Sequence, residues 1–116
     1  MVDRNTALPY NSRMIFIETS TFTKLIGNYL TDDEYLGLQR ILLKHPDVGK
    51  IIRGSSGVRK LRWAIIGKGK RGGIRIIYYW RKVRAEIWLL TVYGKSECES
   101  IPSHILRKIV KEIGNG

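Results

Sequence analysis

Lys60 and Arg62 stand two residues apart in Val58-Arg-Lys-Leu-Arg-Trp63, a stretch that alternates apolar and polar side chains. On an extended backbone this spacing puts both cations on one face, with Leu61, Trp63 and Ile65 on the other. Arg75 opens a later apolar run, Arg75 to Trp80, and Lys95 follows the last such run in Tyr93-Gly94-Lys95. Cations converging on one sheet face bind a phosphodiester and stabilise the charge that grows on it during transesterification. Like charges depress a lysine's pKa, which is how a lysine can serve as general base near neutrality. Solvated strand residues would show the same pattern, and the spacing leaves both readings open.

Gly67-Lys-Gly-Lys-Arg-Gly72 matches the string GxGxxG. A dinucleotide site would need a helix next and an acid about twenty residues on. Here a strand pattern follows, and the first acid after the loop is Glu86. A kinase-type loop would need HRD and DFG motifs, which the chain lacks. The loop reads instead as a cationic hairpin tip whose glycines let backbone approach phosphates closely. Lys68, Lys70 and Arg71 in this loop, together with Arg59, are candidates for holding an RNA backbone. Tyr93 is a candidate for stacking on a splayed base, against the alternative of packing at the sheet rim.

Other chemistries find little support. No Ser/His/Asp or Cys/His pair is placed by any motif. His45 and His104 are far apart and lack metal-ligand spacing; His45, just before Pro46, suits a helix-ending cation. Cys98 is the single cysteine, which excludes an intramolecular disulfide and suits a reducing cytoplasm. A metal-dependent nuclease needs clustered carboxylates, and the nearest to the basic face are Glu97 and Glu99, after the last strand. No metal and no cofactor are expected, so any RNA cleavage would proceed without a metal ion.

Charge points to the partner. The chain has 21 basic and 10 acidic residues, a net charge of +11. Residues 1–52 balance at six against six, so the whole excess lies in residues 53–116. Between Asp47 and Glu86 there are twelve lysines and arginines and no acid. Such segregation suits a polyanion, whose neutralised phosphates release counterions and drive association.

The elements that must position these residues follow from periodicity. At 116 residues, 43% of them hydrophobic, the chain makes one domain with a real core. Residues 1–13 read as a flexible leader, and the domain spans residues 14–116. No apolar run approaches the ~18–20 residues of a membrane span. Met14 to Glu18 is a first strand. Phe22, Leu25, Ile26, Tyr29 and Leu30 recur at helical spacing. Thr31 and Glu34 form a capping box for a second helix with Tyr35, Leu38, Ile41 and Leu42 on one face, ending at His45-Pro46. Three strands follow, from Val58, from Arg75 and from Ala85, with Arg81 to Arg84 as a charged hairpin. A helix over Ile101 to Ile113 closes the chain. The order β-α-α-β-β-β-α predicts an α+β fold, with a mainly antiparallel sheet carrying its helices on one face. Lys60 and Arg62 would then project from the open face.

Three blocks carry a resemblance: Gly57-Val-Arg-Lys60-Leu-Arg62-Trp63, GKGKRGGIRIIYYW (67–80) and LLTVYGKSE (89–97). Together they resemble the RelE/HigB toxins of bacterial type II toxin–antitoxin pairs, the HigB2-like branch above all, over about residues 14–113. The resemblance implies a RelE-like fold and a ribosome-dependent endoribonuclease, an mRNA interferase that cuts translated mRNA in the A site. The 2′-hydroxyl would attack the adjacent phosphate without a metal. By position, Lys60 and Arg62 match the family's basic strand pair, one of them the base. Arg75 matches the arginine that contacts the scissile phosphate. Lys95 matches the block that stabilises the transition state or protonates the leaving oxygen. The partners implied are a HigA-like antitoxin with a helix-turn-helix domain and the ribosome, with the free toxin a monomer.

Departures from the pattern touch the general acid. Ser96 stands where some relatives have arginine, and no tyrosine follows Tyr93. Two other classes stay open: a ParE-like toxin that inhibits gyrase, which generally lacks the basic set, and a non-catalytic RNA- or ribosome-binding module.

Overall fold

Thr31 and Glu34 make the expected capping box: the Thr31 hydroxyl accepts from the Glu34 N–H at 3.2 Å, and the Glu34 carboxylate accepts from the Thr31 N–H at 2.7 Å. It opens the longer N-terminal helix, which stops at Lys44 with His45 as its cap, because the residue before a proline is pushed out of helical geometry. The computed structural model describes residues 13–64, 73–95 and 101–114. The expected leader, apart from Arg13, and the glycine-rich loop lie outside them.

The elements in chain order are β1 (Ile15–Glu18), α1 (Ser20–Ile26), α2 (Asp32–Lys44), β2 (Lys50–Ile51), β3 (Arg59–Trp63), β4 (Ile74–Arg81), β5 (Glu86–Gly94) and α3 (Ser103–Ile113). They build a five-stranded sheet in the order β1-β5-β4-β3-β2. β1 pairs with β5 in parallel, and every other pairing is antiparallel. The fold is α+β, as the sequence predicts. β2 is an addition: two residues, paired as Lys50 with Lys60 and Ile51 with Arg59. Between β4 and β5 a single turn of 3₁₀ helix, Lys82–Arg84, ends at Ala85 in the left-handed region (φ 53°).

β4 is apolar on both faces. Ile74, Ile76 and Tyr78 join Phe22, Ile26, Leu30, Leu38, Leu42, Leu61, Ile87, Leu89 and Val92 in one core beneath α1 and α2. Ile77 and Tyr79 join Val58, Leu90, Tyr93, Leu106 and Val110 in a second core beneath α3. The expectation of all helices on one face is therefore corrected: α3 packs on the other. An unbroken apolar strand must be covered on both sides, and burying each large side chain is worth about 1.5–3 kcal/mol.

A bulge interrupts the β4–β5 pairing. Tyr78 pairs with Leu89, but Ile77 pairs with Thr91, so β5 carries one extra residue there. At the sheet edge, Glu18 accepts hydrogen bonds from the hydroxyls of Thr23 and Tyr35, each at 2.6 Å. These tie both N-terminal helices to the end of β1. Burial, and then the Glu18 carboxylate, raise the Tyr35 phenol above its ordinary range.

Candidate nucleic-acid interface

β3 alternates as expected. Leu61 is buried in the core under α1 and α2, and Trp63 packs against the same core. Lys60 and Arg62 consequently point to the face that carries α3. Arg75 lies directly across from Arg62 on β4, and Tyr93 directly across from Arg75 on β5. Lys60, Ile77 and Thr91 form the next row on that face, extended at its outer edge by Lys50. α3 seats Leu106 and Val110 over Val58, Ile77, Tyr79 and Leu90. The row through Arg62 and Arg75 lies toward the end of the sheet where Gly73 enters β4. Arg62 is exposed there, and Lys60 and Arg75 are half-buried.

Arginines facing one another across an antiparallel pair have Cα atoms about 4.5–5.5 Å apart. Like charges so placed destabilise a sheet. Two guanidinium groups on neighbouring strands can instead share one phosphate, a ligand that arginine binds in bidentate fashion. Lys95 stands exposed at the same end, two residues beyond Tyr93, where its backbone N–H donates to the Gly73 carbonyl at 3.4 Å. Gly73 itself must be glycine. Its φ is +63°, and a Cβ would lie 2.2 Å from the Trp63 carbonyl oxygen.

Beside this row, where the short β2 stops, an open cleft of about 260 Å³ is lined by Val48, Lys50, Lys60, Leu61 and Arg62. Three of its five residues are cations and none is acidic. The loop that forms its outer wall is held from beneath. The Tyr78 hydroxyl donates to the Pro46 carbonyl at 2.7 Å and accepts from the Gly49 N–H at 2.9 Å, all in the interior. Burial raises the Tyr78 phenol above its ordinary range.

Other candidates fall elsewhere. Arg59 lies on the α1/α2 side, opposite Tyr78, and its guanidinium donates to the Asp47 and Gly49 carbonyls at 3.1 and 2.7 Å. It braces the same loop and is not brought to Lys60 and Arg62. Tyr93, only 8% exposed, packs in the core under α3. There it supports Arg75 from the side and offers little ring face for stacking. Lys68, Lys70 and Arg71 lie outside the described residues. Lys50 was missed in the sequence. Its signal was the apolar Ile51-Ile52 pair and the Gly/Ser turn at 54–57, which together announce a hairpin into Val58. Among the described residues, no three His, Cys, Asp or Glu side chains converge as metal ligands would. No helix among them is long and apolar enough to cross a membrane.

No protein-family model matches the chain. Among solved structures it is similar to the E. coli toxin RelE, a double arginine-to-alanine mutant in the free state. The match has a TM-score of 0.54 at 18% identity and covers 86% of this chain and 97% of that one. The chain therefore has a RelE-like fold.

Proposed function

We propose that this chain is the toxin of a type II toxin–antitoxin pair, of the HigB-like branch, and that it cleaves mRNA on the ribosome. The observation that carries this reading is the Arg62–Arg75 pair, set face to face across two strands with Lys60 beside it. A fold gains nothing from opposing like charges there; a phosphodiester does.

The chemistry follows from the row. Arg62 and Arg75 hold the non-bridging oxygens of the scissile phosphate and meet the charge that builds on them in the pentacoordinate transition state. Lys60 takes the proton of the 2′-hydroxyl. The 2′-oxygen then bonds to phosphorus as the bond to the 5′-oxygen breaks. Lys95, at the end of the row, stabilises or protonates the departing 5′-oxygen. The products are a 2′,3′-cyclic phosphate and a 5′-hydroxyl end, and the balance needs neither a metal ion nor a cofactor. The ribosomal A site orients the message, a HigA-like antitoxin covers or displaces the cationic face, and the free toxin acts as a cytoplasmic monomer.

Brief induction of residues 1–116 in cells, followed by mapping of new mRNA 5′ ends against reading frame, tests this. Cuts confined to translated regions, in register with codons and lost in a folded Arg75→Ala variant, are the expected result. Arrested growth with intact mRNA would overturn it and direct attention to gyrase or to a non-cleaving ribosome binder. Toxicity retained in a folded Arg75→Ala variant would overturn the residue assignment.

A further inference from the structure

Lys50 and Lys60 are register partners across β2 and β3, on the same face as Arg62 and Arg75. This makes a second like-charged pair, and it is dear to the sheet for the same reason as the first. Lys60 and Arg62 are two residues apart on β3, so the two pairs are offset by about 7 Å along the strand. That offset is of the order of one nucleotide step of an extended single strand. Lys50, Lys60 and Arg62 line one cleft, whose apolar wall is Val48. The loop bearing Val48 and Lys50 is fixed by the buried Tyr78 hydroxyl and the Arg59 guanidinium. Lys50 is thus held on a braced segment, unlike a lysine on a free surface helix.

We infer that the Lys50–Lys60 pair is a phosphate subsite for the nucleotide next to the scissile one, with Lys50 a substrate-binding residue. The inference rests on the RNA-cleaving reading and extends it: one cross-strand cation pair holds the reacting phosphate, and the second holds its neighbour. The contact is to the backbone, so it fixes the register of the strand on the protein and carries no base preference.

The test uses the full chain carrying Arg75→Ala, so that RNA stays intact, and a short labelled single-stranded RNA of mixed sequence titrated across a salt series. Adding Lys50→Ala is expected to lower the slope of log affinity against log salt by about 0.7, the value for one lost phosphate contact on a single strand. The loss should be uniform across RNA sequences. Lys24→Ala, which removes one charge from α1 on the far side of the sheet, should leave the slope where it was. Thermal unfolding of the Lys50→Ala protein should be unchanged or raised, because a like-charged pair has been relieved; a purely structural lysine would give the opposite sign. An unchanged slope in Lys50→Ala, or an equal fall in Lys24→Ala, overturns the subsite. The cleavage reading fails separately: wild-type induction without in-frame mRNA ends would remove it, whatever the Lys50 slope shows.

Discussion

Replacing Tyr78 with Phe tests how the cleft is held. The phenyl ring keeps its place, fully buried among Ile74, Ile76 and Leu89, and only the hydroxyl is lost. That hydroxyl serves two interior groups at once, the Pro46 carbonyl at 2.7 Å and the Gly49 N–H at 2.9 Å. Each buried group left without a partner costs about 1–3 kcal/mol. With some relaxation the sum is about 2–4 kcal/mol, a large share of the ~5–15 kcal/mol typical of a domain. An unfolding entropy of about 2.1 cal/mol/K per residue, over 116 residues, gives about 0.24 kcal/mol/K. The melting temperature should therefore fall by roughly 8–17 °C. Thermal unfolding followed by circular dichroism reads this directly. RNA affinity should fall with it at a temperature where the variant is fully folded, because Val48 and Lys50 ride on the released loop. A fall in melting temperature of less than about 2 °C would refute the reasoning, and Arg59 would then be the brace that matters.

The other predictions concern charge and pH. Arg62→Gln should abolish cleavage while leaving stability unchanged or raising it by up to about 1 kcal/mol, since it relieves a like-charged cross-strand pair; parallel melting and growth-arrest assays check both halves. Tyr35 holds its proton more tightly in the folded chain than in the unfolded one, whose phenol titrates near 10.0. Its contribution is therefore fully present below pH 10 and is lost as pH rises above it. Melting curves from pH 8 to 11 should fall more steeply for wild type than for Tyr35→Phe. Tyr78 shifts in the same direction but is present in both proteins and cancels in the comparison.

Much of this was legible in the chain. Thr31 and Glu34 announce their helix because a capping box is a local device, and His45-Pro46 ends it for an equally local reason. Lys60 and Arg62 could be assigned to one face because β3 alternates cleanly. What was not legible depends on pairing. Arg75-Ile-Ile-Tyr-Tyr-Trp80 is apolar at nearly every position, so its period could not say that α3 would lie opposite α1 and α2. β2 is two residues long, below any periodic signal, and Lys50 was passed over with it. Arg59 and Tyr93 looked like substrate contacts by type, but register sends one beneath the α2–β2 loop and the other into the core under α3.

The extra residue in β5 has a consequence for how this sheet can change. Ahead of it, Ile87 and Leu89 look toward α1 and α2; past it, Val92 takes that duty and Tyr93 stands beside Arg75. Flattening the bulge with Leu90 retained would pair Ile77 with Leu90 and Arg75 with Val92, pulling Tyr93 away from the arginines and turning Val92 toward them. The bulge is thus a phase shifter in the middle of a strand. It lets the hairpin end and the cationic end of one sheet be set independently, so each can drift without retuning the other.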